Sequence, residues 1–109
     1  MDQTMSYANI LTQVLREESK VQPKHGPAKL ASACDPATGQ FLLIAVGWEN
    51  KERVDCIIFH AQLIDGTVVI ETDNIEEGLT AALIEAGIRE KDIISGEAFD
   101  ELRSQRIAA

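Results

Sequence analysis

Four residues of this chain have side chains suited to covalent or metal chemistry: Cys34, Cys56, His25 and His60. A catalytic thiol needs a base within hydrogen-bond reach and a third group to orient that base. Cys56 and His60 stand four apart on a stretch that reads as a strand. Their side chains therefore share a face, but roughly 13 Å apart along it, beyond contact. Cys34 and His60 could meet across strands, yet the sequence places no acid to orient the histidine. Two small cysteines packed in a sheet account for both thiols more simply. For zinc, no CxxC or HxxxH spacing anchors a pair of ligands. The glycines (26, 39, 47, 66, 78, 87 and 96) are scattered and form no phosphate-cradling loop. Glu76 and Glu77 adjoin, but at the start of a predicted helix, where the macrodipole favours acids. No catalytic, metal-binding or cofactor-binding residue is assigned, and the chain is read as a non-enzyme.

Binding chemistry has better candidates. Trp48 and Arg53 are side-chain types enriched at interface hot spots, and they flank one turn. Trp48 could equally belong to the core, and Arg53 could pair with Glu49 or Glu52 across that turn. His60 is polar on an otherwise apolar strand, so it needs a hydrogen-bond partner within the sheet. Alternatively it lies at an interface beside Trp48 and Arg53. These three residues form the candidate partner-binding set.

The elements that must position them follow from periodicity. Residues 3–19 form an amphipathic helix, with Met5, Ala8, Leu11 (or Thr12) and Leu15 at helical spacing, widened by Tyr7, Ile10 and Val14. Thr4 or Ser6 could cap it, and Pro23, Gly26 and Pro27 end it. Residues 28–34 are a weak strand, followed by a turn with Pro36 and Gly39. Residues 41–48 (FLLIAVGW) and 53–64 (RVDCIIFHAQLI) are apolar strands joined by a short turn at 49–52. Asp65-Gly66 marks a two-residue hairpin leading to a strand at 67–72. Asp73 with Glu76 has the spacing of a capping box, which predicts a helix over 76–86 with Leu79, Leu83 and Ile84 buried and Gly87 as its C-cap. Residues 89–95 read as a helical turn anchored by Ile93 and Ile94. The segment 97–109 is polar and at most helical. The expected fold is a single α+β domain over 1–109: an antiparallel meander sheet of four or more strands, packed on one face by N-terminal and C-terminal helices. Leu42, Ile44, Val46 and Trp48 then share one face, and Phe41, Leu43 and Ala45 the other. The Phe41 face is expected to be uncovered, awaiting a second subunit or a partner.

Composition narrows the partners. With 45% hydrophobic and 26% charged residues, the 109-residue chain is ordinary for a globular domain with a real core. No apolar run spans a bilayer, and the N-terminus lacks a signal-peptide pattern, so a cytoplasmic protein without membrane contact is expected. Net charge is -8. Residues 1–40 balance, with Asp2, Glu17, Glu18 and Asp35 against Arg16, Lys20, Lys24 and Lys29. Residues 41–109 carry fourteen acids against six bases. Such a surface opposes phosphate contact, so the domain alone should have little affinity for duplex DNA. It is a solvated acidic surface at least, and at most a face that steers a basic partner.

Several elements in order resemble the XisI-like excision controlling factors of cyanobacteria. They are VGW at 46–48, Arg53-Val54 after the turn, CIIFH ending in His60, Asp65-Gly66, Glu76-Glu77-Gly78, and AGIREKDII at 86–94. The chain departs from that pattern at Val69, where an aromatic usually stands, and in the segment from Glu97 to Glu101. The resemblance implies an α+β fold and a non-enzymatic accessory role in excising a DNA element, in a system where a separate recombinase cuts and joins. It also implies a XisH-like partner with a nuclease-like fold, and a homodimer where that partner is absent. The alternative is an antitoxin or immunity-type inhibitor of a nuclease-like protein, distinguished by toxicity of that protein expressed alone.

Overall fold

The computed structural model describes residues 3–20 and 28–108; the side chains of residues 3–6 and 105–108, and His25 within 21–27, lie outside the described residues. Helix α1 runs over Gln3–Ser19, followed by strands β1 (Lys29–Asp35), β2 (Gln40–Glu49), β3 (Glu52–Ile64) and β4 (Thr67–Asp73). Helix α2 (Thr80–Ala86), a 3-10 turn (Glu90–Asp92), strand β5 (Ile93–Ser95) and helix α3 (Gly96–Ala108) complete the chain. The sheet has five strands in chain order, β1-β2-β3-β4-β5. The first four form the expected antiparallel meander. The two tight hairpins hold their central residues in left-handed backbone: Asn50 and Lys51 between β2 and β3, Asp65 and Gly66 between β3 and β4. Positive φ at both central residues is the turn that matches strand twist.

The apolar stripe of α1 lies on one face of this sheet. Tyr7, Ala8, Leu11 and Leu15 pack with Phe41, Leu43, Phe59, Ala61 and Val68, joined by Leu79, Leu83 and Ile88 from the α2 region. Phe41, Leu43 and Phe59 are fully buried there and Ala45 nearly so. This reverses the expected faces: the Phe41 side is the core, and Leu42, Ile44, Val46 and Trp48 face away from α1. Both faces of β2 are apolar, so alternation alone could not choose between them.

Three further expectations are corrected. Residues 89–95 are not a helical turn throughout, because Ile93–Ser95 form β5, which pairs in parallel with β4 through Val68↔Ile93, Val69↔Ile94 and Ile70↔Ser95. The sheet is therefore mixed, and β4, α2 and β5 make a parallel crossover unit. Three residues are too short to show a strand period. Second, α2 begins at Thr80 rather than at 76, because the Asp73 carboxylate accepts from the Ile75 and Leu79 backbone N–H groups at 3.2 and 3.0 Å. It thus organises a turn through Gly78, at φ +75, instead of a capping box with Glu76. Third, Ile84 is 37% exposed, and the short helix buries only Leu83. Gly87 does cap α2, with Gly87 N–H donating to Ile84 O and Ile88 N–H to Leu83 O.

One part-buried polar contact ties the first element to the last crossover. The Tyr7 hydroxyl donates to the Asp92 carboxylate and accepts from Arg89 N–H. Tyr7→Phe keeps the ring and removes both bonds across 82 or more residues of sequence. A loss of about 1–2 kcal/mol in urea unfolding is expected, with the fold retained.

Candidate interaction surface

The face away from α1 is built by the odd-even alternation of three strands. On β2 it carries Leu42, Ile44, Val46 and Trp48. Cross-strand pairing places Ala33 opposite Leu42 and Ala31 opposite Ile44 on β1. On β3, Ile57 stands opposite Ile44 and His60 opposite Leu42, with a bulge between that shifts the register. Ile57 is 44% exposed and Trp48 55%. Helix α3 covers the other end of this face. Val69, facing opposite to the core residue Val68, is fully buried outside the core cluster and pairs with Ile94. Ser95 Oγ accepts from Ala98 N–H at 3.2 Å and so caps α3. A side chain at Gly96 would collide with the Glu71 carboxylate, so α3 starts hard against β4. The β1-β2-β3 part of the face has no cover among the described residues.

Between the covered and uncovered parts runs a line of polar side chains. His60 Nε2 lies 2.8 Å from Gln40 Oε1; Gln40 Nε2 donates to Gln62 Oε1 at 3.0 Å; and Gln62 Nε2 donates to Glu71 Oε2 at 2.8 Å. Since the Gln40 amide nitrogen is committed to Gln62, its oxygen is the acceptor and His60 Nε2–H the donor. Every bond points the same way, toward the Glu71 carboxylate. The structure thus gives His60 the sheet partner it required.

At the far end, Trp48 and Arg53 are direct cross-strand partners, and the guanidinium carbon of Arg53 sits 5.7 Å from the Trp48 ring centroid. Arg53 is therefore placed on the indole rather than against Glu49 or Glu52, and Trp48 is not core. A cation on an indole face contributes about 0.5–1 kcal/mol at an exposed site. Of the three candidate residues, Trp48 and Arg53 are brought together. His60 shares their face but lies toward its opposite end, beside Leu42.

The thiols are not brought to the histidine. Cys34 pairs with Phe41 on the α1 side of the sheet, while His60 pairs with Leu42 on the other. Burial pushes the Cys34 thiol above its ordinary value, against smaller opposing contributions from the Thr12 hydroxyl, the Leu42 backbone and Arg16. Cys56 is exposed. Among the described residues no three of His, Cys, Asp and Glu are grouped to hold a metal ion. None of the described helices is long and apolar enough to cross a membrane.

Sequence reasoning missed Ile57, Gln40, Gln62 and Glu71 as members of this surface. Part of the signal was present: Gln40 alternates with Leu42 on β2, and polar groups mark the wetter face. His60 reaches that side only through the bulge between Ile57 and Phe59, which no local pattern announces.

Helices on one face of a five-stranded mixed sheet, with the other face partly bare among the described residues, make the chain a small α+β protein. The chain belongs to the XisI protein family, whose family model matches residues 1–107. A solved XisI-like protein from Anabaena variabilis shares the fold, with TM-score 0.71 at 16% identity over 84% of each chain. The fdxN element excision controlling factor XisI of Anabaena variabilis is also similar, with TM-score 0.68 and 25% identity over 85% of this chain and 90% of that one. No curated protein matches the chain significantly.

Proposed function

We propose that this chain is a cytoplasmic, non-enzymatic accessory factor that controls excision of a DNA element by binding a XisH-like partner of nuclease-like fold. Family membership and the name of the similar XisI factor support the process. The observation that carries the binding role is the uncovered sheet face ending in the exposed Trp48 ring with Arg53 stacked on it. An aromatic and an arginine in contact at the rim of an apolar strip are suited to anchoring a protein surface. Glu49, Glu52 and Asp55 flank the pair on the same two strands. That charge favours a basic counter-surface, as a nucleic-acid-binding partner would offer, and acts mainly on the rate of encounter.

Trp48→Ala and Arg53→Ala are expected to fold with stabilities within roughly 1 kcal/mol of the parent, because both side chains project from the surface. Each should weaken capture of a XisH-like protein by roughly tenfold or more. The measurement is titration calorimetry or quantitative pull-down, with circular dichroism to verify folding. Folded variants that bind like the parent would move the contact elsewhere, and a parent that binds no such protein would remove the proposal.

A further inference from the structure

The two edges of the sheet are treated differently. One edge is β5, three residues long and running directly into α3. The other is β1, seven residues long and unpaired on its outer side among the described residues. Natural sheets guard such an edge with proline, a bulge, a central charge or a cover. Strand β1 (KLASACD) has no proline and no central charge, and its seven pairs with β2 run without a register shift. Its only charges stand at the two ends, Lys29 at the start and Asp35 at the finish, both exposed.

That pattern fits one strand in particular, another β1 running the other way. Antiparallel pairing centred on Ser32 sets Lys29 against Asp35 of a second copy, twice by symmetry. It also sets Leu30 against Cys34, Ala31 against Ala33, and Ser32 against Ser32. A parallel arrangement would stack Lys29 on Lys29 and Asp35 on Asp35. The side chains agree as well as the charges. Leu30 and Cys34 are half-buried against the core on the α1 side, and the pairing sets each beside the other's counterpart, removing more of both from water. On the bare side only Ala31, Ala33 and the two end charges meet, so nothing bulky obstructs the approach. Asp35 already accepts from Ala37 N–H and Thr38 Oγ1 within its own turn, which fixes its carboxylate at the strand end.

We infer that β1 is an isologous pairing edge for a second copy of this chain, joining two five-stranded sheets into one ten-stranded sheet about a two-fold axis through Ser32. The axis stands perpendicular to the sheet, so both α1 layers fall on one side and both bare faces merge on the other. An edge of seven residue pairs is a small interface, so a micromolar dimer is expected. The Trp48-Arg53 rim is left free, and the inference is independent of any partner bound there.

The test uses the full chain alone. Sedimentation velocity across a micromolar concentration series should show a monomer-dimer equilibrium. Lys29→Asp should raise its dissociation constant roughly tenfold, because two attractive cross-strand pairs become repulsive. Adding Asp35→Lys should restore association, relative to Asp35→Lys alone, which carries the same loss of the turn contact. Ser32→Cys, in a chain with Cys34→Ala and Cys56→Ala, should give a covalent dimer on mild oxidation, while Thr80→Cys in that background should not. A parent that stays monomeric into the high micromolar range overturns the inference. So does a dimer that Lys29→Asp leaves unchanged and Ser32→Cys fails to cross-link.

Discussion

Phe59→Ala is expected to lower the unfolding free energy by about 3–5 kcal/mol, the usual cost of emptying a fully buried phenylalanine site. Phe59 is completely shielded from solvent and stands opposite Leu43 in the centre of the sheet. Two layers meet at this point: the stripe of α1 above, and β2 and β3 below. Among the described residues the opposite face of the sheet is largely bare over β1-β2-β3, so the α1 face supplies most of their apolar burial. A domain of ordinary stability has about 5–15 kcal/mol to lose, so this one change should leave the chain marginal. Guanidinium denaturation followed by circular dichroism should show a much lower midpoint with little change in slope. Phe59→Leu, which refills most of the space, should lose markedly less. A Phe59→Ala cost below about 1 kcal/mol would contradict the placement of this ring in the core.

The second large effect is expected at Gly39, in the turn between β1 and β2. Its φ is +72, and a β-carbon there would come within 2.6 Å of the Leu63 carbonyl oxygen. Leu63 N–H also donates to Gly39 O at 2.9 Å, so β3 closes directly over this residue. The obstructing atom is backbone in a central strand, which cannot withdraw without breaking its ladder. Gly39→Ala should therefore cost about 2–4 kcal/mol, combining left-handed strain with the collision. Gly39→Asn separates the two causes, because asparagine tolerates left-handed backbone but keeps the β-carbon. The collision predicts that asparagine is nearly as damaging as alanine. An asparagine variant as stable as the parent would show the strain to be conformational alone.

Much of the sheet was legible in the chain. The strands at 41–48 and 53–64 came from apolar runs bounded by turn residues, and the structure extends them only to Gln40–Glu49 and Glu52–Ile64. Asp65-Gly66 announced its hairpin because few dipeptides accept positive φ at both positions. Helix α1 was legible from its stripe, and Gly87 from its place after the last periodic residue. These are local properties, in which a residue's type limits its own backbone or its nearest neighbours.

What was decided only in three dimensions depends on distance along the chain. Which face of β2 lies under α1 is settled by the fit of Tyr7, Leu11 and Leu15 onto Phe41, Leu43 and Phe59, and no local pattern encodes that choice. Strand β5 exists because β4 offers it an edge after a crossover, since three residues cannot hold a strand unaided. Asp73 could have capped a helix at 76, but Gly78 turns the chain so that its carboxylate reaches Leu79 N–H instead. Trp48 and Arg53 were named from their types alone; their stacking, and the exposure of the ring, come from the register of β2 on β3. Sequence by itself determined helix α1, the first four strands and the acidic balance of residues 41–109. Tertiary packing decided which residues are core and which are surface, because burial belongs to pairs of elements and not to any one of them.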